Sequence, residues 1–438
     1  MSSMVSSMTT SSDKTTTEIT PQNLSKKAWI VCLSAALFFF YEFIQMHMFN
    51  AINDELRTAF SVNATQLGIL SSTYLFGDVA LLLPAGMLLD RFSTKSILLI
   101  ALAICIAGTV GFSLTSSFPL AAFFHFISGC GNAFCFLACM MLVSRWFEPN
   151  RQAFVVGFVV TMAFFGGVIA QTPLAYLAEC VGWRMALIYD GLLGCVFLVI
   201  IYLNVKDFPQ NYVYSNKTER KISFIKGLKC ALANPQNSLG GLYTCLLNLP
   251  IMVLDAVWGV TYLKKMHGLS GMEASNVTAM IFFGSMIACP LAGFISDRME
   301  RRKKPMIWGA MLSLIVVSLV VFVPVWNYAS LLILFFLIGF FTSTQIISYP
   351  FAAESNESSV TGTAIGLVSL IIMGGAAIAQ ILFGKLLDLN WDGLMSAGQK
   401  VYSVSAYHNA MLMFPIAMGI GLLAALSIKE TYCKKRLG

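Results

Sequence analysis

The stretch PAGMLLDRFSTK, residues 84–95, decides the fold of this chain. It places an Asp-Arg pair and a Lys in a region that is otherwise almost entirely apolar. The stretch PLAGFISDRMERR, residues 290–302, is a second copy whose matching residues follow the first at a constant spacing of 207 positions. The matched pairs are Gly86 with Gly293, Asp90 with Asp297, Arg91 with Arg298, and Lys95 with Arg302. A repeat over this distance predicts two related halves.

A second repeat supports the two halves. The segment GGVIAQ (166–171) is similar to GGAAIAQ (374–380), and Gln171 and Gln380 lie 209 positions apart. The predicted domains are a disordered cytoplasmic tail (1–27), an N-terminal six-helix bundle (28–205), a cytoplasmic linker (206–235), a C-terminal six-helix bundle (236–430) and a second cytoplasmic tail (431–438).

The composition is that of a membrane protein. Hydrophobic residues make up 57% of the chain and charged residues only 11%, whereas soluble domains carry about 25% charged residues. Apolar runs recur that are long enough to cross about 30 Å of hydrocarbon as helices. We therefore predict an all-α membrane protein with twelve transmembrane helices in two pseudo-symmetric six-helix bundles. The predicted spans are 28–50, 66–89, 97–114, 118–144, 152–178, 185–205, 236–262, 273–296, 305–325, 328–353, 360–386 and 406–428.

Lys and Arg predict the orientation of these spans. With the N-terminus in the cytoplasm, 22 of the 28 basic residues fall on the cytoplasmic side, in agreement with the positive-inside rule. Both termini are then cytoplasmic. The net charge of +7 reflects this orientation, and we expect no nucleic-acid partner. The 11 Cys lie mostly within apolar runs and lack ligand-like spacing, so we expect neither a metal nor a cofactor.

The pattern G-x-x-x-D-R-x-x-x-[K/R] between spans 2 and 3 resembles the signature of the major facilitator superfamily. Twelve spans, a basic central loop and the second copy extend the resemblance from about residue 28 to 430. It implies a transporter whose two halves rock about a central site. The segments FFFYEFIQ (38–45), WGVTYLKKMHGLSGMEAS (258–275) and TGTAIG (361–366) resemble one bacterial branch, grouped loosely with the lysosomal dipeptide transporter. That branch implies the bacterial inner membrane.

The chain departs from the family's better-known subgroups at specific positions. Dipeptide transporters use a Glu in span 4 and an Arg in span 5, where this chain has Asn132 and Phe164. The antiporter signature needs Gly-Pro in span 5, where this chain has Ala170-Gln171. These departures argue against dipeptide transport and against a drug/proton exporter.

The resemblance also implies roles for the repeated motif. In the family, the Asp of the first copy contacts the N-terminus of span 11, so Asp90 would hold the cytoplasmic side shut. Asp297 with Arg298 would face span 5. We expect Gly86 to let two helices approach closely.

Two further charge pairings are predicted. Basic residues at the 4–5 turn could pair across the cavity with acids at the 10–11 turn, or serve as ordinary loop charges; these are Arg145 and Arg151 with Glu354 or Glu357. Asp190, near the outer end of span 6, is expected to pair with Arg184.

Ionisable residues inside spans are costly and usually face a cavity. Glu42 lies past the middle of span 1, and Gln45 follows it on the same helical face. Asp78 lies near the middle of span 2, where Gly77 beside it indicates a tight helix contact. Asp255 lies towards the outer end of span 7. We predict that these residues contribute to proton coupling or substrate contact.

Amide side chains complete the candidate site. An amide inside a span can hydrogen-bond a polar solute or hold two helices together, and both roles stay open here. The candidates are Asn132, Gln171, Gln345 and Gln380.

These features predict a secondary active transporter that moves a small polar organic solute by alternating access. The solute could be a metabolite, an amino acid, an organic acid or a siderophore-like compound, taken up with protons. A proton-driven exporter and a non-transporting sensor are the alternatives. No P-loop motif is present, so ATP is not expected to drive transport, and no catalytic constellation indicates an enzyme. The expected partners are the solute, protons and the lipid bilayer, with the protein a monomer.

The topology can be tested by chemical labelling. Single Cys residues introduced at Ser215 and Ser396 in a Cys-free background should differ in their reaction with a membrane-impermeant maleimide. In intact cells, we expect labelling at position 396 and none at position 215 until the cells are opened. Labelling of position 215 from outside would contradict the predicted orientation.

Overall fold

The structure is a computed structural model that describes residues 21–147, 149–209, 224–323, 326–357, 360–396 and 399–434. Within these ranges the description excludes the side chains of residues 21–25, 83, 87, 90, 149–154 and 224–226. Side chains of Asp90 and Arg151, named in the predictions above, therefore lie outside the described part. So do Ser215 and most of the predicted N-terminal tail.

The N-terminal half contains nine helices within these ranges. They are α1 (Pro21–Ala51), α2 (Asn53–Phe60), α3 (Ala64–Arg91), α4 (Thr94–Leu114), α5 (Phe118–Asn132), α6 (Cys135–Trp146), α7 (Pro149–Ala170), α8 (Thr172–Val181) and α9 (Trp183–Asn204).

The rest of the described chain begins with a linker helix, α10 (Phe224–Ala233), which packs on α17. The C-terminal half then contains α11 (Pro235–Leu247), a π-helical segment (Pro250–Trp258), α12 (Gly259–His267), α13 (Gly271–Arg298), α14 (Lys303–Phe322), α15 (Tyr328–Thr342), a 3-10 turn (Ser343–Ile347), α16 (Ser348–Glu354), α17 (Thr361–Leu389), α18 (Val404–Met411) and α19 (Met413–Ser427). An antiparallel hairpin of β1 (Met395–Ser396) and β2 (Gln399–Lys400) joins α17 to α18.

The predicted all-α architecture is confirmed. Eleven helical stretches among the described residues are long and apolar enough to cross a membrane. The 28-residue helix α3 corresponds to predicted span 2, and it packs against α5 and α17 to complete the twelve. Several spans consist of consecutive helices: span 4 is α5 and α6, span 5 is α7 and α8, and span 7 includes the π-helical segment.

The bilayer explains why the chain is built of helices that are apolar on every side. Lipid offers no hydrogen bonds, so each helix must satisfy its own backbone. Large side chains cover the outer surface: Ile100, Phe123 and Leu423 are 61%, 55% and 63% exposed. Faces turned inwards carry small residues such as Ala35 and Ala101, which are buried and let neighbouring helices approach closely.

The two halves are pressed together at one end of the molecule, the end that carries α2 and the β1–β2 hairpin. We call it the hairpin end, and we call the opposite end, with α10 and the two motif copies, the linker end. At the hairpin end α3 crosses α17 without intervening side chains. A Cβ atom added at Gly68 would lie 2.5 Å from the carbonyl oxygen of Gln380, and one added at Gly384 would collide with the carbonyl of Ala64.

An acid from one half caps a helix of the other half at this end. Asp388 of α17 accepts hydrogen bonds from the backbone N–H of Thr65 (2.8 Å) and from its hydroxyl (2.5 Å). Lys400 and Tyr402 also donate to Asp388, at 2.9 and 2.7 Å, and the Tyr402 hydroxyl accepts the N–H of Ala64 at 2.9 Å. The first N–H groups of a helix have no partner within it, and here the other half supplies their acceptors.

Amide side chains close the rest of the hairpin end against the main chain of span 7. Asn50 accepts the N–H of Val260 at 2.9 Å, and Asn53 donates to the carbonyl of Val257 at 2.5 Å. Gln171 donates to the carbonyl of Asp255 at 2.8 Å. These three amides belong to the N-terminal half, so the contacts join the two halves directly.

The linker end is open. Every hydrogen bond between the halves that the structure describes lies at the hairpin end. A Cβ atom added at Gly86, Gly157, Gly293 or Gly362 would meet no atom within 4 Å, so the close helix approach expected at Gly86 is not made in this arrangement. With the predicted orientation of the chain, this is an inward-open conformation.

The Asp388 cap generates a prediction about this conformation. Replacing Asp388 by Asn removes a charge and one acceptor, so the hairpin end should open more often. Hydrogen bonds to a charged group contribute about 1.5–3 kcal/mol, which shifts a balanced equilibrium about tenfold or more. In purified protein, a Cys introduced at Val260 should react with a bulky maleimide correspondingly faster in the Asp388→Asn variant.

The matched control is Asp392→Asn, which removes an exposed acid from the same loop. Labelling at position 260 should not change in that control. Equal labelling rates in the wild type and Asp388→Asn would show that the cap does not hold this end closed.

Candidate solute and proton site

Three predicted residues from three different helices meet inside the N-terminal half. The Asn132 amide of α5 donates to the Asp78 carboxylate of α3 at 3.3 Å. Glu42 of α1 interacts with the same amide and lies close enough to Asp78 for their charges to interact. Glu42 and Asp78 are only 2% and 3% exposed, and Oε2 of Glu42 has no hydrogen-bond partner among the described residues. We call Glu42, Asp78 and Asn132 the acidic trio.

Glycines explain why the trio can form. A Cβ atom at Gly77 would collide with the carbonyl of Phe126, and one at Gly129 would collide with the carbonyl of Tyr74. Both glycines therefore let α3 and α5 touch backbone to backbone, which confirms the tight contact expected beside Asp78. Because α5 ends at Asn132, its last turn presents that amide to the neighbouring acids.

The trio faces the seam between the halves. Tyr349 of α16, in the C-terminal half, lies within electrostatic range of Asp78. Phe39 and Phe136 lie one helical turn nearer the linker end than Glu42 and Asn132. Their ring centroids are 5.5 Å apart, and both side chains are partly exposed.

Aromatic rings pack across the seam between the halves, nearer the hairpin end than Glu42. The His47 ring of α1 meets Phe282 of α13 at a centroid distance of 5.0 Å, and Phe164 lies 6.3 Å from the same Phe282 ring. Nδ1 of His47 is engaged by the carbonyl of Phe43 at 2.9 Å. His47, Phe164 and Phe282 are all buried, so the seam between the halves is closed at this level.

Gln45 belongs to a separate cluster within the N-terminal half. It donates to Asp190 of α9 and accepts from the Thr109 hydroxyl of α4 at 2.7 Å. The expected Asp190–Arg184 pair is wrong: Arg184 donates instead to the carbonyls of Ser113 and Thr115, each at 2.7 Å. The carbonyls at the end of α4 have no helical partners and carry partial negative charge, so they attract this guanidinium.

The remaining amides hold helices together. Oε1 of Gln171 accepts from Asn50 at 2.7 Å and from Thr278 at 3.0 Å. Gln380 donates to the carbonyl of Met252 at 2.7 Å. Gln345 of the 3-10 turn donates to Asn248 at 2.9 Å inside the C-terminal half. Of the four predicted amides, Asn132 alone contacts an acid of the trio.

Asp255 lies in the π-helical segment at the hairpin end and is fully buried. Neither of its carboxylate oxygens has a hydrogen-bond partner among the described residues. Its backbone carbonyl, not its side chain, joins the contact with Gln171. The structure therefore separates Asp255 from the acidic trio.

The second motif copy forms a charge cluster within its own half. Arg302 contacts Asp297 at 2.5 Å and Glu354 at 2.6 Å. Burial lowers the pKa of the Arg302 guanidinium, but its bonds to Glu354 and Asp297 outweigh burial and raise the pKa above its ordinary value. Arg298 is exposed. Asp297 has its described partner within the same half, not in span 5.

In the first copy, Arg91 is exposed and Lys95 donates to the carbonyl of Tyr202 at 2.6 Å. Arg145 donates to Thr94 at 2.8 Å and lies 4.0 Å from Asp207. Arg145 and Glu354 are thus each engaged within their own half in this open conformation, and these two residues do not pair across the cavity here; the side chain of Arg151 lies outside the described part.

One acid after the last span of each half was missed by sequence reasoning. Asp207 accepts the N–H of Lys95 at 2.8 Å, at the start of α4. Glu430 accepts the N–H of Arg302 at 2.7 Å and that of Lys303 at 3.2 Å, at the start of α14. Acids stabilise helix N-termini. The position of an acid just after span 6 and just after span 12 could therefore have predicted these two helix caps.

Comparison with known proteins settles the family. A family model described as Major Facilitator Superfamily matches residues 31–380 and 242–431. The chain belongs to the major facilitator superfamily. It is accordingly a multi-pass integral membrane protein and a secondary transporter of small molecules, not an enzyme, and the resemblance drawn from the repeated motif is confirmed.

Individual relatives are distant. The chain is 25% identical over 417 residues to the membrane sensor protein UhpC of Escherichia coli (strain K12), covering 88% of this chain and 90% of UhpC. It is 20% identical over 410 residues to the probable sulfoacetate transporter SauU of Cupriavidus necator, covering 90% and 91%. A bacterial homologue of the human lysosomal transporter Spinster, solved in an inward-facing and unoccupied conformation, matches with a TM-score of 0.74 at 18% identity, covering 96% and 100%. At this identity the structural likeness shows the fold alone.

Proposed function

We propose that this protein takes up a small polar organic solute together with protons, with Glu42 carrying the proton and Asp78 contacting the solute. The acidic trio supports the proposal: two buried carboxyls and one amide lie together near the seam between the halves. The unpartnered oxygen of Glu42 leaves room for a proton, and Asp78 is the acid that faces Tyr349 of the other half.

Electrostatics gives the trio its coupling role. Charge buried away from water is costly, and two nearby carboxylates also repel each other. A proton on Glu42 relieves both costs. When the halves rock, a central site is exposed first to one side of the membrane and then to the other, so Glu42 can bind a proton on one side and release it on the other.

The setting of this activity follows from the basic residues. With 22 of 28 Lys and Arg on one side, we propose that the linker end and both termini lie in the cytoplasm and that uptake runs towards the side that is open here. The two relatives named above come from bacteria, which supports placement in the bacterial inner membrane. Each half completes its own helix caps at the linker end, so we propose that one copy of the chain works alone.

Glu42→Gln tests the coupling role, because Gln has the shape of the protonated acid but releases no proton. We expect proton-driven accumulation of solute to be lost, whereas counterflow exchange of labelled for unlabelled solute continues, since exchange needs no net proton movement. Both activities are measured in proteoliposomes with an imposed pH gradient. The matched control is Glu55→Gln, an exposed acid on α2, which should leave both activities unchanged.

Other outcomes assign the roles differently. Loss of accumulation and exchange together would make Glu42 a solute ligand. Full accumulation by Glu42→Gln over a range of external pH would remove both roles and direct attention to Asp78 and Asp255. Specific solute binding without any movement of solute across the membrane would favour a sensor, the activity named for UhpC.

A further inference from the structure

We infer that the solute is a small organic cation, carrying a protonated amine or a quaternary ammonium group that contacts Asp78. This inference rests on the proposed function, because it assigns a solute class to the same site. It departs from SauU, whose printed name makes it a probable sulfoacetate transporter, since sulfoacetate is an anion.

The charges of the spans favour a cation. The twelve predicted spans contain four deeply placed acids, namely Glu42, Asp78, Asp190 and Asp255, but no Arg. Their one Lys, Lys385, is exposed near the hairpin end of α17. Carboxylates, sulfonates and phosphates are recognised most strongly by charged donors such as Arg. This chain offers none at the depth of the trio.

Two basic residues at the linker end, Arg145 and Arg302, are already engaged. Arg145 is held by Thr94 and lies beside Asp207, and Arg302 is held by Glu354 and Asp297. Deeper in the chain, His47 is wedged against Phe282, and His125 stacks on Phe49 at 4.7 Å. None of these side chains has a described contact with the acidic trio.

The trio has more acceptors than donors. Two carboxyl groups share one amide, and Oε2 of Glu42, on a side chain 98% buried, is left without a partner. With a proton on Glu42, Asp78 is the remaining charged group of the trio, within electrostatic range of Tyr349 in the other half. An ammonium group supplies both the opposite charge and, in amines, the missing N–H donors.

Aromatic rings beside the trio complete a site for a cation. Phe39 and Phe136 are partly exposed on its linker side, and Tyr349 lies opposite Asp78. Ring faces attract ammonium groups, most strongly where water is excluded. A solute entering from the linker end would therefore pass two rings before it reached the acid.

The charge of the cavity can be measured without knowing the solute. A single Cys at Tyr349, in a Cys-free background of the purified full-length chain, is treated with trimethylammonium-ethyl or sulfonato-ethyl methanethiosulfonate, which are similar in size and opposite in charge. After correction for their rates with a free thiol, we expect the cationic reagent to react about tenfold faster or more, as in clefts lined by one sign of charge. Phe136→Cys serves as a second reporter if Tyr349→Cys is unstable.

Variants locate the source of this preference. Asp78→Asn should bring the corrected ratio close to one, whereas Glu42→Gln should keep the preference, since the proposed function has Glu42 carry a proton. Asp255→Asn is the matched control, since that acid is sealed at the hairpin end. A corrected ratio near one in the parent, or faster reaction of the anionic reagent, would overturn the inference.

A ligand screen tests the solute class directly. Metabolites sorted into cationic, neutral and anionic sets are added to the purified chain, and thermal stabilisation is measured. We expect stabilisation by amines or quaternary ammonium compounds, and its loss in Asp78→Asn. Stabilisation and transport of an anion would overturn the cation assignment while leaving proton-coupled transport intact. Loss of coupling in Glu42 variants is scored separately, so the two proposals can fail independently.

Discussion

The contact between α3 and α17 is the constraint on which the rest of the arrangement depends. Gly68 and Gly384 leave no side chain between the two helices, so their backbones meet at the hairpin end, and Asp388 fixes them by capping α3. Towards their other ends, a Cβ atom at Gly86 of α3 or at Gly362 of α17 would meet no atom within 4 Å. The two helices therefore touch at the hairpin end and leave the linker end open.

Much of the fold could be predicted from the sequence, because a bilayer leaves a chain few choices. Span length, backbone satisfaction and the duplicated motif are all visible in one sequence, and they fixed twelve helices in two bundles. Gly77 likewise predicted a close helix contact, which the structure shows. Side-chain partners were harder to predict. Asp190 was predicted to pair with Arg184 because the two are close in sequence. In the structure Arg184 donates to carbonyls at the end of α4, and Asp190 accepts from Gln45 of another helix.

The sequence identified the residues of the candidate site but not which of them lie together in space. Glu42, Asp78 and Asn132 were singled out separately, and only the packing of α1, α3 and α5 brings them together. Asp388, Asp207 and Glu430 were missed for one reason: each binds the backbone N–H groups at the start of a helix. A backbone N–H group is present in nearly every residue, so the sequence does not show which residues will bind these acids. The two halves also differ chemically: the N-terminal half groups Glu42 and Asp78 around one amide, whereas the C-terminal half pairs Asn248 with Gln345.

The closure at the hairpin end is made largely with main-chain atoms of span 7. Asn50, Asn53 and Gln171 contact the backbone of Val260, Val257 and Asp255, whose side chains take no part in these bonds. Substitutions at residues 255, 257 and 260 can therefore accumulate without loss of these hydrogen bonds, provided that the backbone conformation is kept. The three amides have no such freedom. In an alignment of relatives, conservation due to this closure would therefore appear at the three amides of the N-terminal half, although both halves form the contacts.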